Sequence, residues 1–328
     1  MKDSDIILAS GAEHLGKRFK ELGFKVYGSA TNYDNKRIFP NSDLYVRIPR
    51  ISRLSERKVV VIQSCTGSGP ADRESHSTSD RLVELLLILD LLKEPMEIEE
   101  TEHKVYHEKS VNPPKRIEVV LTFQPFGLQD KAFKTGEAVS ARWAMEQIAK
   151  VCDKIWVLNP HAPDSLEWVR NLMNEGKIEA IDITKDLIEF GAAQFGYDEY
   201  LIVTPDEGGQ ERFDCAGFGK QRTNSFSIEL HGDIDAEGKN VIVIDDLTKS
   251  GSTLLKAAAR LRKQGAKDIG LAVVHVLPLM YKGEELLENL VSKINGHIVV
   301  SNTVRTRVFG VKNPELTYNI VDKLVQII

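Results

Sequence analysis

The stretch covering residues 239–254, KNVIVIDDLTKSGSTL, limits the fold more than any other part of this 328-residue chain. Four apolar residues, 241–244, run without polar alternation into Asp245 and Asp246. A run of this kind suits a strand covered on both faces, as in a parallel sheet flanked by helices. A short loop follows, made of Thr248, Lys249, Ser250, Gly251, Ser252 and Thr253, and residues 253–265 (TLLKAAARLRKQG) then show helical apolar spacing. The order is strand, loop, helix.

Parallel sheets place ligands outside the carboxyl ends of their strands, which is where Asp245 and Asp246 fall. The loop supplies small side chains, hydroxyls and the N–H groups of a helix start, a combination that fits an anion such as a phosphate. The two carboxylates then face what lies beside the phosphate, either sugar hydroxyls or a hydrated Mg²⁺, both of which suit oxygen ligands. An ordinary Ser/Thr helix cap behind two exposed aspartates is the alternative.

The rest of the chain alternates in the same manner. Strand patterns occur at 6–9, 25–27, 43–48, 58–63, 116–122, 154–158, 178–183, 199–204, 267–277 and 296–301. Helical patterns occupy 81–93, 137–151, 186–195 and 283–294, and the closing LTYNIVDKLVQII combines a short strand with a helix. This alternation indicates α/β architecture with largely parallel sheets. KVVVIQSCTGSG followed by RLVELLLILDLLK repeats the element order of the opening motif, which suggests an internal duplication. With a junction in 150–164, the expected domains are 1–155 and 156–328. Two stretches stand outside the alternation: a long polar loop at 65–80, and residues 94–115, which read as a surface loop or hairpin of low order.

The net charge of −5, with no concentrated run of Lys and Arg, gives no nucleic-acid footprint. Cys65, Cys152 and Cys215 are widely spaced, which argues for a reducing compartment and against a zinc site or disulfide framework. The N-terminus has no long apolar segment, and the most apolar later stretch, 82–92, is interrupted by Glu84 and Asp90. A cytoplasmic protein without a membrane partner is expected.

Four further stretches carry groups suited to chemistry. Lys220 and Arg222 are two residues apart, so in an extended segment they share a side and suit a clamp on a transferring phosphoryl group. A solvated charge pair on a hairpin loop is the alternative. Asp206, after the strand EYLIV, is placed to hold Mg²⁺ through water or to favour a helix N-terminus. His161, after KIWVL, is either a hydrogen-bonded structural residue or a metal or acid/base group. Residues 123–137 (FQPFGLQDKAFKTGE) are too long for a simple turn, and their Gln129, Asp130 and Lys131 address either a nucleotide or a partner.

Seven segments, taken in order, resemble the ribose-phosphate pyrophosphokinases, also called phosphoribosyl pyrophosphate synthetases: NSDLYVRI, RLVELLLILDLL, FGLQDKAFKTGEAVSA, NPHAP, TPDEGG, GKQR and IDDLTKSGSTL. The resemblance spans nearly the whole chain. It implies two tandem phosphoribosyltransferase-type domains, each a mainly parallel sheet flanked by helices. The implied reaction is Mg²⁺-dependent transfer of the ATP diphosphoryl group to O1 of ribose 5-phosphate, releasing AMP. It also implies a homo-oligomer with the nucleotide site at a subunit interface.

Carried over residue by residue, the resemblance gives Lys220 and Arg222 the stabilisation of the transferring group, with Arg222 also reaching the sugar phosphate. His161 and Asp206 organise Mg²⁺ and ATP. Asn41, Ser42, Asp43, Gln129 and Asp130 touch the nucleotide. Asp245 and Asp246 hold the ribose hydroxyls, and Lys249, Ser250, Gly251, Ser252 and Thr253 hold the 5-phosphate. The chain departs from the family pattern at three places. Leu128 stands for an arginine, removing a charged ATP contact of roughly 1.5–3 kcal/mol. Asn159 and Pro160 replace the aspartate before the histidine, and Lys249 replaces an acid in the phosphate loop. A different sugar phosphate, or a non-catalytic homologue that binds nucleotide and a partner, are the readings these departures leave open. A phosphoribosyltransferase consuming the sugar diphosphate is a further alternative, against which the full first domain and the 123–137 loop count.

Overall fold

Two six-stranded sheets with the same strand order carry the chain. The computed structural model describes residues 4–160, 165–205, 216–217, 234–277, 279 and 282–328, together with the backbone of 219–222 and 228–231. In chain order the first unit has β1 (Ser4–Leu8), α1 (Gly16–Glu21), β2 (Val26–Gly28), β3 (Lys58–Ser64) and α2 (Thr78–Lys93). The hairpin strands β4 (Met96–Glu102) and β5 (Val105–Ser110) follow, then β6 (Arg116–Phe123), α3 (Ser140–Val151), β7 (Lys154–Leu158), α4 (Glu167–Asn174) and β8 (Ile178–Ile181). Its sheet runs β2-β1-β3-β6-β7-β8, with every pairing parallel.

The second unit opens with α5 (Thr184–Phe195), β9 (Leu201–Thr204) and β10 (Ala216–Gly217), followed by the hairpin strands β11 (Gly219–Arg222) and β12 (Ile228–His231). It continues with β13 (Asn240–Thr248), α6 (Ser252–Lys263), β14 (Asp268–Val276), α7 (Gly283–Lys293), β15 (Ile298–Ser301) and β16 (Thr317–Tyr318). The last helix is α8 (Val321–Leu324). The second sheet runs β10-β9-β13-β14-β15-β16, again wholly parallel. Each sheet therefore places its second strand at one edge, its first beside it, and then its third to sixth in sequence. β3 and β13 occupy the same place, as the suggested duplication requires.

Period-two burial builds both cores. Val59, Val61, Val119, Leu121, Ile155 and Val157 pack against Leu85, Ile88 and Leu89 of α2 and Met145 and Ile148 of α3. In the second unit Val241, Val243, Leu271 and Val273 pack against Leu254, Ala257 and Leu261 of α6 and Leu287 and Leu290 of α7. Ile242 and Ile244 are equally buried but stand outside that cluster, so β13 is covered on both faces, the property its unbroken apolar run announced.

The chain falls into two compact units whose division lies at 181/182, beside the expected boundary of 155/156. One unit contains the described residues up to Ser68, Asp72–Ile181 and Val321–Ile328; the other contains Gly69–Ala71 and the described residues of 182–320. β7 and β8 continue the parallel ladder from β6, with Glu118 paired to Lys154 and Ile155 to Ile178, which keeps both strands in the first sheet. The stretch 150–164, expected as a junction, carries at Lys154–Leu158 an inner strand of the first sheet. The C-terminal residues return to the first unit, where Asp322 accepts from Arg18 Nε and Nη2 at 2.9 and 2.7 Å.

Three local expectations are also refined. Residues 43–48 make one bridge, Ile38 to Leu44, instead of a strand, because Ser42 takes a left-handed conformation (φ 72°) and turns the chain. Residues 94–115, expected as a surface loop or hairpin of low order, hold an antiparallel hairpin, Met96 opposite Ser110, with a register shift between Glu100 and Glu102 and nearly every residue exposed. α3 starts at Ser140, later than the expected 137, because the Glu137 carboxylate accepts from the amides of Phe133 and Lys134 and belongs to the loop.

Candidate active site

The strand order of the second sheet reverses between β9 and β13, and in open α/β sheets the ligand crevice lies outside the carboxyl ends of the strands at that reversal. β9 ends on the fully buried Thr204, and β13 ends on Thr248. Asp245 and Asp246 lie inside β13, half-buried, because the strand runs on through Thr248. Alternation places Asp245 on the face that Val241 and Val243 share with α6, and Asp246 on the opposite one. The doublet thus flanks the strand end from both sides.

The loop after β13 is tight. Gly251 N–H donates to Thr248 Oγ1 at 3.0 Å, and Thr248 O accepts from Leu277 N–H at 2.9 Å. Gly251 has φ 72°, and a Cβ there would come within 2.4 Å of Leu290 Cδ2, so the position requires glycine twice over. Among the described residues no side chain caps the helix that follows. Its first-turn amides and positive dipole end therefore stand behind Lys249, Ser250, Ser252 and Thr253, of which Lys249 and Ser252 are exposed. Ser250 Oγ donates to Ser252 Oγ at 3.3 Å.

The equivalent place in the first unit is filled by its own side chains. Gln63 Oε1 accepts from Gly11 N–H at 2.9 Å, and Gln63 Nε2 donates to Glu84 Oε2 at 2.9 Å. Arg81, 2% exposed, donates through Nη1 to Ser64 O at 3.2 Å and pairs through Nη2 with Asp72 at 3.2 Å. A Cβ on Gly11 would sit 2.5 Å from Arg81 Nη1. The helix there is closed by a capping box between Ser77 and Asp80. Of two topologically matched strand-loop-helix segments, the one after β3 has a side-chain cap and the one after β13 has none among the described residues.

The candidate nucleotide residues fall in the first unit at two separate places. Asn41, Ser42 and Asp43 form an exposed turn tip, where Asn41 Nδ2 donates to Asp43 Oδ2 at 2.6 Å. In the 123–137 loop Gln129 is half-buried and its Nε2 donates to Lys131 O at 3.3 Å. Asp130 is buried, and its carbonyl accepts from Trp168 Nε1 at 3.0 Å. Leu128 beside them is 63% exposed. Among the described residues no hydrogen bond joins the Asn41–Asp43 tip to the Gln129 loop.

Lys220 and Arg222 lie on β11, opposite Leu230 and Ile228, so the extended backbone that their spacing presupposed is present. Their side chains lie outside the described residues, as do His161 and Asp206. Asn159 precedes His161 with φ 37°, and its N–H donates to Ile181 O at 2.9 Å. Among the described residues no cluster of three or more His, Cys, Asp or Glu suits a metal ion. Burial pushes the Cys65 thiol far up and the Cys152 thiol up to about 12, which removes both as nucleophiles. A further polar group at this end of the sheet is His275, buried near the end of β14 opposite Leu247, with Nδ1 2.9 Å from Thr303 Oγ1. Its one signal in the sequence is a polar residue inside an otherwise apolar strand.

Two parallel six-stranded sheets of one topology, with a glycine-bearing anion loop at the reversal of the second, define a phosphoribosyltransferase-type α/β protein. Residues 210–312 match the phosphoribosyl transferase domain model. The chain is 28% identical over 314 residues to the ribose-phosphate pyrophosphokinase of Pyrococcus furiosus, covering 92% of this chain and 95% of that one. It is 28% identical over 333 residues to the enzyme of the same name from Pyrococcus abyssi, covering 98% and 97%. The crystal structure of phosphoribosylpyrophosphate synthetase from Mycobacterium smegmatis superposes with a TM-score of 0.71 over 99% of this chain and 97% of that one, at 21% identity, and shares the fold. Along nearly its whole length the chain is similar to ribose-phosphate pyrophosphokinases, and its second unit carries the phosphoribosyl transferase domain match.

Proposed function

We propose that this chain is a ribose-phosphate diphosphokinase, which transfers the diphosphoryl group of ATP to O1 of ribose 5-phosphate and releases AMP. The observation that carries the sugar-phosphate half is the α6 start, which no side chain caps among the described residues, behind the Thr248–Gly251 turn. A 5-phosphate there meets the first-turn amides of α6 and the hydroxyls of Ser250, Ser252 and Thr253, with Lys249 beside it. Asp245 and Asp246, one on each side of the strand end, take the ribose hydroxyls and leave O1 facing the crevice.

Transfer requires the anomeric oxygen in line with the β-phosphorus, so the chain's main work is to position and to stabilise charge. Lys220 and Arg222 provide cations for the transferring group and Arg222 also for the sugar phosphate. The Asn41, Ser42 and Asp43 tip and the Gln129 and Asp130 loop provide the nucleotide contacts. In this reading the homo-oligomer completes the nucleotide site at a subunit interface, and the enzyme works in the cytoplasm. Mg²⁺ belongs to this chemistry: the half-buried carboxylates of Asp245 and Asp246 are hard oxygen donors that suit a hydrated Mg²⁺, and His161 and Asp206 are the further candidates. When bound, the ion offsets the negative charge of the triphosphate.

Purified protein given ATP, Mg²⁺ and ribose 5-phosphate is expected to form AMP, and a panel of sugar phosphates should show ribose 5-phosphate as the preferred acceptor. Nucleotide binding without AMP formation overturns the proposal in favour of a non-catalytic homologue. Lys220→Ala should lower turnover far more than it raises either KM, and near-normal turnover removes Lys220 from the mechanism.

A further inference from the structure

The long polar loop expected at 65–80, which in the structure ends at the Ser77 cap of α2, has no role in the reaction as derived above, yet it is closed and anchored with care. Ser68 N–H donates to His76 O at 2.8 Å, His76 N–H returns to Ser68 Oγ at 2.8 Å, and Ser68 Oγ donates to Glu74 O at 3.0 Å. The loop is thereby drawn into a lasso. Arg81 holds it from α2, donating to Ser68 Oγ at 3.2 Å and pairing with Asp72. A guanidinium buried to this degree fixes its partners, since leaving any of them unpaired carries a desolvation cost.

From this anchored lasso one side chain reaches out. Glu74 Oε1 accepts the backbone N–H of Arg37 at 3.0 Å. Arg37 is the root of the turn that presents Asn41, Ser42 and Asp43: its carbonyl accepts from Tyr45 N–H at 2.7 Å, and above it Phe39 N–H donates to Asp43 O at 2.8 Å. Its guanidinium is held on the other side by Glu13, in the turn that follows β1. Amide and side chain of one residue are thus gripped by carboxylates from two different elements, and the turn tip, itself exposed, has this fixed base.

We propose that Glu74 is a positioning residue for the nucleotide, acting through Arg37 to hold the Asn41–Asp43 tip in place. The inference rests on the functional reading above, in which that tip touches ATP. It assigns the enlarged 65–80 loop a role as a brace, and it makes the effect specific to one substrate. Ribose 5-phosphate, bound after β13, has no part in it.

The test compares Glu74→Ala with Glu74→Gln, in which Oε1 remains as an acceptor. Glu74→Ala should raise the KM for ATP about five- to tenfold with the KM for ribose 5-phosphate unchanged, and Glu74→Gln should restore the wild-type value. Independently of activity, amide hydrogen exchange at Phe39, Ser42 and Tyr45 should be faster in Glu74→Ala than in wild type. Glu13→Ala, which frees Arg37 from the other side, should show the same ATP-selective change and serves as the second variant if Glu74→Ala fails to fold. A wild-type ATP KM in Glu74→Ala, or a rise in both KM values together, overturns the brace. An active wild type in which Asp43→Ala raises the ATP KM while Glu74→Ala does not sinks only this inference; absence of AMP from wild type sinks the functional reading and the brace with it.

Discussion

Thr248 and Gly251 are joined by a hydrogen bond of 3.0 Å from the Gly251 amide to the Thr248 hydroxyl, which ties the last residue of β13 to the residue before α6. The bond closes the first four residues of the phosphate loop, Thr248 to Gly251, so the shape of that turn is set by its own two ends. A backbone cradle for an anion works only if its amides are held before the ligand arrives, and this short closure provides that.

Gly251→Ala is the direct test of the cradle. The added methyl has to share space with Leu290, which is fully buried and has no room to swing away, and the residue must also keep φ 72°. Crowding and the left-handed backbone together should destabilise the protein by about 2–4 kcal/mol in chemical denaturation. Affinity for ribose 5-phosphate, measured by calorimetry, should fall about tenfold or more as the loop deforms.

The strand, loop and helix around that bond were legible because each signal is local: an unbroken apolar run, small loop residues, helical spacing in TLLKAAARLRKQG. What was not legible depends on pairing. β7 reads the same from its own residues whether it ends one domain or sits inside another, and only the register of Glu118 with Lys154 decides that it stays in the first sheet. The apparent strand at 43–48 alternates correctly, but after the turn at Ser42 it forms one bridge, at Leu44, in place of a ladder. Arg81 reads as an ordinary helix residue, and nothing in its spacing tells that its guanidinium fills the crevice of the first unit. Of the candidate site, the β13 loop needed sequence alone, whereas the grip of Glu74 on Arg37 joins residues too far apart in the chain for any pattern to link.

Glu118 predicts an acid-sensitive term in stability. It is buried in β6; burial by itself raises its pKa, but hydrogen bonds from Trp156 Nε1 (2.9 Å) and Arg116 Nε (2.6 Å), with Lys58 Nζ at 3.3 Å, outweigh this and hold it below the ordinary carboxylate range. A folded-state pKa below the unfolded one adds stability that is complete above the unfolded value, about 4.3, and is lost as pH falls through the folded value. Wild type should therefore melt higher than Glu118→Gln at pH 7, with the gap holding down to about pH 5 and closing below about pH 4. A gap that widens on acidification would contradict the assignment.

Leu128 offers a gain of function. The position is 63% exposed and adjoins Gln129 in the nucleotide loop, so an arginine there can reach a phosphate or base without disturbing the core. Solvent screening lowers the value of such a contact below that of a buried one, and Leu128→Arg should tighten ATP about two- to fivefold, read from the ATP KM. An unchanged KM would place the 123–137 loop away from the nucleotide.

Lys249 gives two effects of opposite sign from one substitution. It is exposed at the positive end of α6, where its charge opposes the helix dipole and no ion pair offsets it among the described residues. Replacing it with glutamine should therefore raise the stability of the ligand-free protein slightly, by about 0.3–1 kcal/mol. The same charge attracts an anion to the loop, so Lys249→Gln should weaken ribose 5-phosphate binding about two- to fivefold and flatten its dependence on salt. Thermal melts with and without inorganic phosphate separate the two: the variant should melt higher alone and gain less from phosphate than wild type does. A residue that merely decorated the surface would shift neither quantity, and one that only stabilised the fold would lower the first without touching the second.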